Sequence, residues 1–387
     1  MVFIAHLVHE IGIGPYQVVL LLISIPLNAL VMVAAMLVSI SLPDLRNDLQ
    51  IDTGAAAILA SSFFCGWLFG AVLLGRLCDT MGRKRSLEIS LVLFVVGSIG
   101  TSIVSDYWLL LVSRLVCGAA TGGIVISGFT LLLETLPTVH AAAATLLVMV
   151  SSSGGVTLVA VMASVLRSWW HLSNICAIWG MAILLVVHFA AIESPSWLLN
   201  QPNGVERAKD ALVAIAQRSG ASEDMLEKIN DSVIVSDVTP SNVAPSFIDL
   251  FRTRAATVKA LSLFFVWFTL SLVYYGLSSL AANGNGTSNR YTSLAISSLM
   301  EQPGNLAAFI GMKECGKRLT VVSSLTLSSI ALTAALLFDG PIRQVSLAAG
   351  KLTITAAFAA VYPWTTLLFS VELRGVGMGA CSAASRV

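Results

Sequence analysis

The sequence predicts an all-α protein that crosses a membrane many times, in two groups of helices separated by a soluble stretch. Three observations carry this. Of the 387 residues 56% are hydrophobic and 11% charged, with a mean hydropathy of +0.86, beyond the range of an ordinary soluble globule. Apolar runs of about 20 residues, the length that crosses a ~30 Å hydrocarbon core, recur near 17–40, 55–75, 86–105, 108–133, 142–166 and 172–191, and again near 258–280, 291–312, 319–338 and 343–369. Between the two sets, residues 192–257 hold a helical pattern from Gly204 to Gly220, then acids and Ser/Thr/Pro punctuation.

The chain therefore divides into a six-span group (1–191), a central loop (192–257) and a second group (258–387) with four full spans and an eleventh run that starts near 375 and meets Val387. The second group is expected to be incomplete. Residues 1–16 carry His6, His9 and Glu10, and the first apolar run is too long for a signal peptide, so span 1 should act as its own signal anchor. The six cysteines fall in spans or at their inner boundaries, where no disulfide is expected. A net charge of +1 leaves no nucleic-acid footprint.

Orientation follows from Lys and Arg. With the N-terminus in the cytoplasm, 15 of the 22 lie on the inner side and 4 (Arg46, Arg167, Arg290, Arg343) on the outer side, the expected bias. Asn285-Gly286-Thr287 is a glycosylation sequence in a short outer loop, more consistent with an unmodified turn.

The densest charge in the first group is Gly75-Arg76-Leu77-Cys78-Asp79-Thr80-Met81-Gly82-Arg83-Lys84-Arg85. Gly82 supplies a tight turn, the cations mark the inner face, and Asp79 is a lone acid at the boundary. This pattern resembles the loop between spans 2 and 3 of major facilitator transporters. The resemblance implies a fold of two six-helix bundles related by a pseudo-two-fold repeat. A weakened copy follows span 8 as Lys313-Glu314-Cys315-Gly316-Lys317-Arg318, with Lys313 in place of the acid. A second repeated motif keeps Glu134 and Pro137 after span 4 and Arg374 after span 10, while Ala141, Leu367 and Ser370 depart from it.

Further segments narrow the resemblance. Glu193-Ser194-Pro195-Ser196-Trp197-Leu198-Leu199, Asp249-Leu250-Phe251-Arg252-Thr253, Tyr274-Tyr275-Gly276-Leu277, Gly350-Lys351 and Gly375-Val376-Gly377-Met378-Gly379 together look like the organic cation, carnitine and organic anion transporter family. That family usually has a long loop between spans 1 and 2; here only Ser41 to Thr53 fill the place.

The resemblance implies a cytoplasmic gate of Gly75, Asp79, Gly82, Arg83, Lys84, Glu134 and Arg374. In it Glu134 pairs with Arg83 or Lys84, and Asp79 docks at the start of the eleventh run near Gly375, where the positive helix end favours a carboxylate. The alternative to the gate is that Glu134 is a solvated interfacial acid.

For substrate, the candidates are Asn28, Trp267, Tyr274, Tyr275, Lys351, Phe358 and Arg386. Aromatics offer flat apolar walls and hydroxyl donors to bulky organic ions, though membrane helices also use them for packing. Ionisable groups inside spans are costly, which singles out Arg114, Glu134, Lys351 and Arg386. Lys351 either faces the cavity or snorkels outward; Arg386 either faces the substrate path or is loose near the terminus. A cationic site favours an organic anion or zwitterion over a cation. Arg114 needs a partner the sequence does not identify, and Gly118 with Gly122 should let helices approach closely.

No Walker loop, metal-ligand cluster or nucleophile arrangement occurs, so no cofactor or metal is expected, and an enzyme is disfavoured. The expected function is secondary transport of small organic ions by alternating access, as a multi-pass protein of the plasma membrane. Its partners would be the substrate ion, the lipid bilayer and a coupling or exchange ion. A neutral-solute or sugar-like facilitator, or a non-transporting membrane protein, remain the alternatives.

Overall fold

The structure is a computed structural model that describes residues 2–103, 106–201, 204–231, 247–282, 289–369 and 374–386. The sequence Asn285-Gly286-Thr287 lies outside the described residues. A short helix, α1 (Val2–Ile11), precedes α2 (Pro15–Leu49), α3 (Thr53–Met81), α4 (Arg83–Ile103), α5 (Tyr107–Thr135), α6 (Ala141–Leu166) and α7 (Trp169–Ala190). Three short helices follow: α8 (Pro195–Leu199), α9 (Gly204–Arg218) and α10 (Glu223–Asp231), and then a 3-10 turn, Phe247–Phe251. The second group comprises α11 (Arg254–Ala282), α12 (Arg290–Leu299), α13 (Glu301–Glu314), α14 (Lys317–Leu337), α15 (Gly340–Leu368) and α16 (Arg374–Ala384).

Local chemistry sets many of the helix ends. Pro15 opens α2, and the Gly14 N–H donates to the Gln17 side chain at 2.9 Å. Asp52 caps α3 by accepting from the Ala55 N–H at 2.9 Å, and Asp106 caps α5 through the Leu109 N–H at 3.0 Å. Among the described residues nine helices are long and apolar enough to cross a membrane, namely α2 to α7, α11, α14 and α15.

The expected eighth span is instead broken in two. Helices α12 and α13 meet at Met300, which ends the first and caps the second. Pro303 explains the break, because it has no N–H to offer the carbonyl of Leu299 four residues earlier. The break places Glu301 at the first position of α13, with only 1% of its surface exposed.

The cores follow the same division. In the first group α2 is central, with Leu30, Val33 and Ile40 fully buried. Helices α3 and α5 pack with backbones close together: a Cβ on Gly118 would collide with the Phe63 carbonyl and one on Gly70 with that of Ala119. This is the close approach that the Gly118/Gly122 spacing implied. The second group has its own core around Trp267, Leu270, Val321, Ala357 and Val361. A third core lies outside the spans, where Leu7 and Val8 of α1 pack with Trp197, Leu199, Leu212 and Ile229 of the segment after α7. Lys228 bonds Glu10 at 2.6 Å across it, and this bond holds the Glu10 carboxyl below its usual range.

Candidate substrate site and charged clusters

Two clusters of chemistry-bearing side chains stand out, one at the end of the bundle that carries Arg83–Arg85 (the basic end) and one near the middle of the spans. At the basic end Gly82 has φ +106°, and a Cβ there would run into the Glu193 carboxylate and the Trp197 ring. Glycine thus lets the first turn of α4 close on Glu193, which accepts the N–H groups of Arg83 at 2.9 Å and Lys84 at 3.1 Å. A carboxylate here satisfies otherwise free donors and meets the positive helix end.

The Arg83 guanidinium forks onto Glu134, with Nε and Nη2 each 3.1 Å from its oxygens. It also donates to the Cys78 carbonyl at 3.1 Å and lies 3.5 Å from Asp79. The Ser194 hydroxyl donates to Glu134, the Trp197 indole to the Asp79 carbonyl at 2.7 Å, and Lys84 Nζ to the His188 carbonyl at 2.8 Å.

This geometry changes the meaning of the expected gate. The Arg83–Glu134 pair is present, but these partners all belong to the first group or the segment after α7, so the cluster binds α3, α4, α5 and α8 to one another rather than half to half. Asp79 is 77% exposed, and among the described residues its ion-pair partner is Arg83 rather than the start of α16. Gly75 sits within α3 against Ile126 of α5. Arg374 opens α16; its side chain lies outside the described residues.

The middle cluster joins α3, α11, α13, α15 and the residues just after α16. Trp267 is fully buried and donates its indole N–H to Thr365 at 3.0 Å. Its ring meets Tyr362 at 4.5 Å and Phe358 at 6.2 Å between centroids, and Phe358 continues to Tyr274 at 5.4 Å. Tyr274 adjoins Tyr275 at 5.1 Å, which packs edgewise on Phe64 of the first group at 4.9 Å.

Two cations flank this aromatic train in different ways. Lys351 is 1% exposed and lies 2.9 Å from Glu301, also 1% exposed. It donates to Ser278 Oγ at 2.6 Å and sits 3.5 Å from the centroid of the Tyr274 ring, whose hydroxyl in turn donates to Glu301 at 2.8 Å. Arg386 donates to the Tyr275 hydroxyl at 2.8 Å and spreads over the Trp67 ring at 3.8 Å, and its Nε is buried without a hydrogen-bond partner. Among the described residues no carboxylate pairs with Arg386.

Several sequence expectations change here. Lys351 does not snorkel to an interface; it is enclosed and its charge is offset by Glu301. Lys351 and Arg386 therefore do not present two free cations, and Arg386 alone lacks an acid. Arg386 is also held rather than loose. Asn28 bonds within its own helix, donating to the Ser24 carbonyl at 2.9 Å. Arg114, 1% exposed, finds the Ala34 carbonyl at 2.8 Å and the Phe63 ring at 4.6 Å.

Sequence reasoning missed Glu301, Phe64, Trp67 and Tyr362 in this cluster and the role of Glu193 at the basic end. Glu301 had a readable signal, since an acid two residues before a proline inside an apolar run marks both a break and a costly charge.

Away from the basic end the halves are joined by specific contacts. Arg290 at the start of α12 lies 2.6 Å from Asp44 of α2. Thr157 and Ser298 share a hydrogen bond at 2.8 Å, and Asn305 donates to Ser153 at 3.2 Å. The buried cluster of the first group also takes in Ala281, Ala282 and Leu294 from the second.

Comparison with known proteins agrees with this architecture. The profile of the Major Facilitator Superfamily matches residues 25–387. Solute carrier family 22 member 7 of Sus scrofa is 32% identical over 332 residues, covering 84% of this chain and 59% of that protein. An organic cation transporter protein of Drosophila melanogaster is 26% identical over 340 residues, covering 84% of this chain and 61% of its own length. The chain thus spans about three fifths of the length of these relatives. Among solved structures, the proton:xylose symporter XylE bound to 6-bromo-6-deoxy-D-glucose superposes with a TM-score of 0.71 at 14% identity, covering 96% of this chain and 86% of that one. A partially occluded inward open conformation of XylE from E. coli gives a TM-score of 0.68 at 16% identity. At that identity the likeness speaks for the fold, an all-α arrangement of membrane-crossing helices. With the profile matching almost the whole chain, this multi-pass membrane protein belongs to the major facilitator superfamily, a family of transporters.

Proposed function

We propose that the chain is a secondary carrier of small organic ions that favours anions or zwitterions over cations and works by alternating access between its two helical groups. It resides in the plasma membrane with its N-terminus in the cytoplasm, and a solute or ion gradient drives it. One observation carries the preference: Arg386 is a guanidinium without an acid partner among the described residues, held between Trp67 of the first group and Tyr275 of the second. A ligand carboxylate would find a fork of charged donors there, with flat aromatic walls from Tyr275 and Phe358 for its organic body. An organic cation would meet the same charge at low dielectric and be repelled.

Domain roles follow from the same reading. Residues 1–191 and 258–387 form the two moving parts and 192–257 the cytoplasmic connector. The cluster of Gly75, Asp79, Gly82, Arg83, Lys84 and Glu134 stiffens the cytoplasmic end of the first part. The test is uptake of radiolabelled benzoate, carnitine and tetraethylammonium into proteoliposomes. Benzoate and carnitine should exceed tetraethylammonium, and Arg386→Gln should cut benzoate uptake by about tenfold or more, the worth of one charge-assisted hydrogen bond. Preferential tetraethylammonium uptake, or no uptake of any of the three, would overturn the proposal.

A further inference from the structure

The buried ion pair raises a question that the anion preference alone does not answer, namely why a site would keep a second cation and cancel it. Lys351 on α15 and Glu301 on α13 are 2.9 Å apart and each 1% exposed. The groups facing them come from α11: Ser278, which accepts from Lys351 at 2.6 Å, and Tyr274, which donates to Glu301 at 2.8 Å. Tyr274 is at once the lid of this pair and a wall of the aromatic train. The ammonium lies 3.5 Å from its ring centroid on one side, and Tyr275, the partner of Arg386, stands at 5.1 Å on the other.

We infer that Glu301 is a specificity-determining residue: by cancelling Lys351 it leaves Arg386 as the one cation beside Tyr274 and Tyr275 without an acid partner among the described residues, and restricts the site to organic monoanions and zwitterions, at the expense of dianions. This rests on the anion-carrier reading above. The coupling is electrostatic. Glu301 does not touch the substrate position; it acts through Lys351, whose field reaches the Arg386 position across two rings. Inside a low-dielectric bundle a charge two rings away is still felt. Removing the carboxylate would expose that field and favour a second negative charge on the ligand. Three features hold the carboxylate in place: the ammonium, the Tyr274 hydroxyl and the N-terminal end of α13 created by the break at Met300.

The experiment measures the ratio of terephthalate to benzoate uptake at neutral pH in proteoliposomes of the full chain. Wild-type protein should favour benzoate. Glu301→Gln should raise the terephthalate:benzoate ratio about tenfold or more, whereas the double variant Glu301→Gln/Lys351→Gln, which removes both charges together, should bring the ratio back towards that of the wild type. A purely structural role would lower both uptakes in both variants without moving the ratio. An unchanged ratio in Glu301→Gln overturns the inference, and so does a double variant that keeps the raised ratio. Should Glu301→Gln fail to reach the membrane, a double variant that takes up terephthalate better than wild type overturns it, and one that keeps the wild-type ratio supports it. Wild-type protein that transports neither acid defeats the anion-carrier reading itself, a result distinct from these.

Discussion

In the alternating-access cycle proposed above, breaking the Asp44–Arg290 pair should move the balance between the two ends of the helical bundle. The oppositely charged atoms lie 2.6 Å apart, and the side chains are 35% and 20% exposed. Two unit charges at about 4 Å are worth roughly 4 kcal/mol at an effective dielectric of 20 and about 1 kcal/mol in water. Partial exposure discounts the larger figure, and the ordering of both side chains discounts it again, leaving about 1–2 kcal/mol. Arg290 also keeps a bond to the Tyr291 hydroxyl at 2.7 Å, so losing Asp44 does not leave it without a partner. Because about 1.4 kcal/mol is a factor of ten in an equilibrium, Asp44→Asn and Arg290→Gln should each raise the fraction of molecules open at that end by about tenfold. Single-molecule FRET between labels on the loops after α2 and after α14, in a background without Cys65 and Cys315, reads that fraction directly. The two effects must not add: the double variant should resemble either single one. Additive shifts, or no shift in either, would refute a latch made by this pair.

Other outcomes are equally specific. Gly82→Ala forces a side chain into a φ of +106° and against Glu193, which should cost about 1–3 kcal/mol and lower the melting temperature of detergent-solubilised protein, whereas Gly276→Ala, with open space at its Cβ, should not strain it. Trp267→Phe keeps the buried ring but leaves the Thr365 hydroxyl without its indole donor; a loss of about 1 kcal/mol is expected in the same thermal assay. The Glu10–Lys228 bridge lowers the carboxyl of Glu10, so its stabilisation is complete above the ordinary glutamate value of about 4.3 and disappears as pH falls through the lowered one. Hydrogen exchange in α1 should therefore be slow at neutral pH and rise only in strong acid, after correction for the intrinsic rate, and Lys228→Gln should abolish that acid-dependent step.

The spans were legible because bilayer thickness dictates their length, but their ends were not. Helix α2 runs to Leu49 and α3 to Met81, past the apolar runs ending near 40 and 75, because Arg46 and Arg76 can continue a helix into water as readily as a leucine continues it in lipid. Gly82 was readable as a turn; its close neighbour Glu193 was not, since the two meet only after α4 to α7 have been laid down between them. Lys351 and Arg386 look alike in sequence, each a cation in an apolar run. What separates them is Glu301, an acid that tertiary packing brings beside one and not the other, and that the broken eighth span delivers at the right depth. Arg114 had no readable partner because its hydrogen-bond acceptor is a main-chain carbonyl, which every residue possesses.

The small core formed by α1 with the segment after α7 has a consequence for biosynthesis. Leu7 and Val8 are translated well before the surface that buries them, around Trp197 and Leu212, which follows the six long apolar helices α2 to α7. At the usual 5–20 residues per second the delay is on the order of ten to forty seconds, during which two apolar side chains must stay unburied. Their docking needs the two pieces on the same side of the bilayer, and an odd number of insertion errors among the intervening spans puts them on opposite sides. The contact thus ties the two ends of the first group together on one side of the bilayer.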